Sequence, residues 1–255
     1  MKKTIHKIFI LPVCLCFAFT TSFAQSASVD YSKSGFKVAD MFSHTEENLR
    51  KQFTDKGMQW PAKFVYIRSF KYDAQVEVWV KNDVKEPYKL FKSYKICQQS
   101  GGFGPKRLQG DFQVPEGFYY INEFNPNSNY HLALGLNYPN TSDRILSDSL
   151  RPGGDIYIHG NCVSVGCIPV NDQQIEELYV ISSYAKANGE DFIPVHVFPY
   201  KYTSRKAAEY FRNNTRNNEV VQKFATQLKS VFDRFEETKQ LPVVLINKKG
   251  EYLVN

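Results

Sequence analysis

Between Lys63 and Lys81 the chain alternates apolar and polar positions, KFVYIRSFKYDAQVEVWVK, and favours β-branched and aromatic residues. That pattern predicts two strands, 63–70 and 75–81, turning near Tyr72-Asp73. "YKLFKSYKIC" predicts a third, 88–97, and "GFYYINEF", "YHLALGLNYP", "DIYIHG" and "FIPVHVFPY" continue the series. A glycine-rich loop, "QQSGGFGPKRLQGDFQVPEG", separates the first three strands from the rest. It lacks the spacing of a phosphate cradle and lies between strands, so it is read as a connection. Helical periodicity appears in three places. "HTEENLRKQFTDKGM" (44–58) predicts a short helix with Thr45 as its cap and Leu49 and Phe53 on one face. "PVNDQQIEELYVISSYAKANG" predicts another, with Asn171 as cap, Gln174 completing a capping box and Gly189 as stop. The tail 203–239 is amphipathic, with Phe224, Leu228, Val231 and Phe235 at helical spacing, and a hairpin turning at Lys249-Gly250 closes the chain.

Runs of strands joined by loops, with helices gathered at the ends, indicate an α+β fold with a β-rich centre, a short N-terminal helix and a helical C-terminal extension. The expected division is 1–24, 25–62, 63–200 and 201–255, with 25 to about 43 a polar, mobile leader.

The first 24 residues change the picture of where the protein works. Lys2, Lys3 and Lys7 precede an apolar run from Ile8 to Phe19, and Ser22-Phe23-Ala24 supplies small residues for cleavage before Gln25. The run is too short to cross a membrane, so the mature protein is expected to be exported, periplasmic and without a membrane span. Formal net charge is +6, half of it from the three leader lysines, and no basic stripe follows. Nucleic acid is therefore excluded as the expected partner. Cys14 and Cys16 belong to the leader, which leaves Cys97, Cys162 and Cys167 in an oxidising compartment. An odd number there points either to pairing between molecules or to one thiol kept free for chemistry.

The chemistry concentrates in "IYIHGNCVSVGC", residues 156–167. His159, Cys162 and Cys167, with distant Cys97, form an irregular zinc set, unlike the two close pairs of structural sites. Alternatively Cys162 pairs with Cys167, or Cys97 reaches Cys162 and leaves Cys167 unpaired; both also read as plain buried thiols. The third reading makes Cys167 a nucleophile. A thiol of pKa ~8.5 needs a cationic neighbour to ionise, and His159 at a strand end is placed to serve. Gly166 permits a tight turn, and the backbone N–H groups of 166–168 are then expected to line an oxyanion hole.

"HGNCVSVGC" followed by "IPVNDQQIEELY" resembles the active-site segment of the YkuD-type L,D-transpeptidase catalytic domain family, in which a histidine strand end precedes an [ST]-x-G-C nucleophile. Ser164-Val165-Gly166-Cys167 fills the second element. Val114-Pro115-Glu116-Gly117-Phe118 resembles the family's "TPxGxF" strand and "LNYPNTSDR" its "YPN..D" stretch, so the resemblance spans roughly residues 63–200. The eight-residue gap from His159 to Cys167, Val165 before the Gly-Cys pair and Ile168-Pro169-Val170 in place of an arginine are shared with a YafK-like branch. "SYKIC", "SGGFGPK" and "FEETKQLP" resemble that branch too.

The resemblance implies a cofactor-free, metal-free cysteine acyltransferase of peptidoglycan stem peptides. Cys167 is the implied nucleophile, His159 its base, and the Gly160 carbonyl the group that orients the imidazole. Gly166 and Ser164 support the site. From the residues themselves, Lys106 and Tyr138 are candidate substrate contacts, and Cys97 and Cys162 are a candidate disulfide that stays open against two plain buried thiols. In that branch the implied outcome is a new cross-link or hydrolysis, including release of a murein-linked lipoprotein. The rival from another class is a non-catalytic wall-binding or zinc-stabilised module.

Overall fold

The computed structural model describes residues 36–148 and 150–254. The proposed leader peptide and cleavage site lie outside them. The chain runs α1 (Phe36–Asp55), β1 (Phe64–Phe70), β2 (Gln75–Lys81), β3 (Lys89–Lys95), β4 (Gly117–Ser128), β5 (His131–Leu136) and α2 (Thr141–Leu146). It continues β6 (Tyr157–His159), β7 (Ile168–Pro169), α3 (Asp172–Ala187), β8 (Pro194–Phe198), α4 (Arg205–Thr215), α5 (Glu219–Thr238), β9 (Val244–Ile246) and β10 (Tyr252–Val254).

Eight strands form one mixed sheet in the order β3-β2-β1-β8-β4-β5-β6-β7, and β9 and β10 form a separate hairpin. Strand alternation sorts side chains to two covered faces. Val65 and Ile67 of β1 and Val195 and Val197 of β8 join Leu49 and Phe53 of α1 and Ile175 and Leu178 of α3 in the main core. Phe70 and Phe198 point the other way, onto Phe224, Leu228 and Phe232 of α5 and Tyr252 of β10. The C-terminal extension is thus a third layer over the sheet. Arg68 anchors it from β1: fully buried, it pairs with Glu77 at 2.6 Å and with Glu236 of α5 at 2.7 Å, and its guanidinium lies over the Trp79 and Phe235 rings. On that same face His196 is buried, with Nδ1 2.8 Å from the Tyr66 hydroxyl.

Three sequence expectations shift. The first helix begins at Phe36, within the supposed leader, so Thr45 is a buried mid-helix residue and not a cap. Phe42 makes the difference, since it buries beside Leu49 and Phe53 and extends the apolar stripe by two turns. The tail splits into two helices, because Ser204 caps α4 and Asn218 starts a new helix as the cap of α5. A two-residue strand, β7, forms just after Cys167 and has no periodicity that a sequence reading can detect.

Candidate active site

His159 ends β6, which pairs antiparallel with β5 on one side (Ala133 opposite His159) and parallel with β7 on the other (His159 beside Pro169). Parallel neighbours normally need a crossover of a dozen or more residues. Here the return takes only residues 160–167, and the chain is bent to do so. Asn161 (φ 59°), Cys162 (φ 30°) and Gly166 (φ 98°) all adopt left-handed conformations. Asp172, the first residue of α3, holds the turn by accepting the Asn161 N–H at 2.7 Å. Only glycine fits at 160, because a Cβ there meets the Asp172 carboxylate at 2.6 Å and the Tyr130 carbonyl at 3.0 Å. The loop is tied outward by a disulfide between Cys97, just past β3, and Cys162, while the Cys97 N–H bonds the Pro169 carbonyl at 2.9 Å. Both thiols are therefore withdrawn from the zinc set considered above. Among the described residues Cys167 is the free cysteine.

His159 and Cys167 open into one cavity of about 370 Å³, whose wall includes Tyr130, Asp155, Tyr157 and the asparagines of the β4–β5 turn. The His159 Nδ1 lies 2.7 Å from the Gly160 carbonyl. A carbonyl only accepts, so Nδ1 carries the proton and Nε2 is the basic nitrogen. Tyr130 packs its ring 4.7 Å from the imidazole. The Cys167 sulfur receives the Tyr157 backbone N–H at 3.4 Å and lies 3.5 Å from the Asp155 carbonyl. No direct hydrogen bond joins sulfur and imidazole among the described contacts.

Two expectations about this pair need correction. The resting pair is neutral. Burial pushes the Cys167 thiol above its usual range, and the Asp155 charge adds to that, outweighing the Tyr157 N–H and the Lys106 charge. Burial also pushes the His159 imidazole below its ordinary value, against the opposing effect of the Gly160 carbonyl. A standing imidazolium–thiolate pair does not follow. The expected oxyanion hole is also occupied. The Gly166 N–H donates to Ser100 Oγ at 2.7 Å and the Cys167 N–H to Ser164 Oγ at 2.9 Å, because the two hydroxyls close the nucleophile loop on itself.

Lys106 and Tyr138 stand apart from the role expected of them. Lys106 is buried, not exposed; it pairs with Asp111 and donates to the Leu108 carbonyl, because the glycine-rich loop folds back over it. It lines a separate cavity of about 200 Å³ with Gly166 and Gly153, and reaches Cys167 only through its field. Tyr138 is buried, and its hydroxyl donates to the Pro152 carbonyl at 2.9 Å. Ser100, Asp155, Tyr157, Tyr130 and Asp172 escaped the sequence reading. Of these only Asp172 carried a local signal, as an acid in the first turn of a capped helix.

Residues 73–197 match the YkuD family, described as the L,D-transpeptidase catalytic domain. The chain is 36% identical over 193 residues to the protein of Escherichia coli K12 named "Putative L,D-transpeptidase YafK", covering 75% of this chain and 74% of that one. The YafK of Escherichia coli O157:H7 matches to the same extent. Among solved structures, the helical cell shape determining protein Pgp2 from Campylobacter jejuni is 19% identical (TM-score 0.42), the alignment covering 80% of this chain and 81% of that one. Bdellovibrio bacteriovorus Bd1075 is 18% identical (TM-score 0.40), with 73% and 78% covered.

Proposed function

The chain belongs to the YkuD L,D-transpeptidase family, and on that premise we propose that it is a periplasmic cysteine acyltransferase acting on peptidoglycan stem peptides. One observation carries the reading: a free thiol and a histidine with its basic Nε2 available share one open cavity. The reaction runs in two halves. His159 Nε2 takes the Cys167 proton as sulfur attacks the carbonyl carbon at the L-centre of a diaminopimelate-type residue. The carbon–nitrogen bond beyond it breaks, and the imidazolium returns the proton to the departing amine, leaving a thioester. The Gly160 carbonyl keeps the imidazole in the tautomer this needs. An amine of a second stem peptide then attacks the thioester, loses its proton to Nε2 and restores the thiol, giving a cross-link.

Hydrolysis is the second reading. Asp155, Asn125, Asn127 and Asn129 supply polar groups along the wall of this open cavity, where a water molecule can be held beside the thioester. The product is then a cut peptide or a released murein-linked lipoprotein. Incubation with defined muropeptides, followed by mass analysis of joined and cut products, decides between the two. Cys167→Ala abolishes both kinds of product, and His159→Gln lowers the rate by about 10²–10⁴-fold. Unchanged turnover in Cys167→Ala refutes the proposal.

A further inference from the structure

A second cavity, of about 490 Å³, lies between the glycine-rich loop and the C-terminal helices. Three aromatic rings line it. Tyr72 and Tyr210 sit 4.8 Å apart at 36°, and Phe103 lies 6.3 Å and 5.9 Å from them. Tyr210 is 48% exposed on the outer side of α4. The polar part of the wall is built from amides, Gln99, Asn214 and Asn218. No acidic side chain occurs among the described residues that line it. Its one cation, Lys71, is consumed by Glu116 at 3.1 Å and by the Val114 and Gly104 carbonyls. The cavity is therefore aromatic, amide-bearing and electrically neutral.

The amides are already half committed, and what remains is specific. Asn214 spends one N–H of its amide on the Tyr210 carbonyl at 2.8 Å, which leaves Oδ1 to accept and a second N–H to donate. Asn218 spends Oδ1 on the Val221 N–H as the cap of α5, which leaves its NH₂ to donate. An amide acceptor beside amide donors complements an acetamido group, and the exposed ring of Tyr210 suits the C–H face of a pyranose. The loop that floors the cavity also touches the nucleophile, because Ser100 Oγ accepts the N–H of Gly166, the residue before Cys167.

We propose that this cavity binds a neutral N-acetylated amino sugar, so that the stem peptide reaches Cys167 while still attached to its glycan strand. The inference deepens the reading of the Cys167 site and rests on it for the identity of the polymer. The site itself is tested without turnover, by titrating the full mature chain carrying Cys167→Ala with a β-linked N-acetylglucosamine tetramer. Amide chemical shifts of residues 99–103 and 210–218 are expected to move, and Tyr210→Ala and Asn214→Ala each to weaken binding by about tenfold. Turnover gives the second arm. The disaccharide-linked peptide is expected to show a KM about tenfold lower than the sugar-free peptide. Tyr210→Ala is expected to erase that difference with kcat unchanged, and Tyr210→Trp to restore it. Absence of tetramer binding overturns the glycan site, as does a Tyr210→Ala effect equal on both peptides. Absence of turnover on both peptides with tetramer binding intact instead sinks the acyltransferase reading and leaves the sugar site standing.

Discussion

At the scale of single residues, the chemistry turns on which way burial moves two pKa values. Desolvation raises the Cys167 thiol and lowers the His159 imidazole, so both are neutral near pH 7. In the proposed mechanism the active form then needs His159 unprotonated. The acid limb of kcat/KM is expected to fall below pH ~6.5, the ordinary histidine value. Alkylation of Cys167 by iodoacetamide is expected to rise with a midpoint above pH ~8.5, the value of a free thiol. A flat, fast alkylation rate reaching down to pH ~5 indicates a preformed thiolate and defeats the neutral pair. The residues of this pair were legible in the sequence, because a histidine at a strand end and a glycine–cysteine pair are local signals. Their ionisation was not. It depends on what the fold packs around them, including Asp155 and Tyr157 from a segment whose own pattern shows only a strand.

At the scale of elements, the decisive unit is the loop from Gly160 to Gly166, which returns the chain parallel to itself within a few residues. Its left-handed positions, the Asp172 carboxylate and the Cys97–Cys162 bond together hold the return. The disulfide encloses 65 residues of sequence, so on a chain-entropy basis it stabilises the fold by about 4 kcal/mol. The double variant Cys97→Ala/Cys162→Ala is expected to lose roughly that amount in urea unfolding under non-reducing conditions. Wild type treated with a reductant is expected to lose the same. A loss below ~1 kcal/mol means that the β6–β7 pairing and the capped α3 hold the loop without it. The α3 capping box and strand alternation were readable here, since each is a contact between near neighbours in sequence. The pairing of β6 with β7 was not, because two residues carry no period.

At the scale of the molecule, two ionisable groups are displaced by burial, one half-buried beside the start of β1 and one buried on the α5 side of the sheet. Glu190 accepts the Val65 N–H at 2.7 Å where β1 begins, and burial pushes its carboxyl up to about 8. The folded protein holds that proton more tightly than the unfolded chain. The stability it supports is therefore full below the ordinary value of 4.5 and is lost as pH rises towards 8. His196, on the α5 side, is pushed down to about 3 by burial, with Arg68 adding to the effect. Its contribution has the opposite sign: full above 6.5, and lost as pH falls towards 3. Thermal unfolding followed across pH separates the two. Glu190→Gln is expected to remove the decline between pH 6.5 and 8 and to leave the acid limb in place. A decline that persists in Glu190→Gln assigns it to another group.

The sequence alone determined the longer strands, the capped helix α3 and the chemical candidates. Alternation, helical spacing, caps and the His159–Cys167 segment are properties of residues close along the chain, where hydrogen bonds and side-chain faces are set by a period of two or 3.6. Tertiary structure decided everything that requires distant segments to meet. It joined Cys97 to Cys162, spent the Gly166 amide on the Ser100 hydroxyl, and brought Tyr72, Phe103 and Tyr210 around one cavity. These outcomes depend on packing and desolvation across 30 to 140 residues of separation, to which no local periodicity is sensitive.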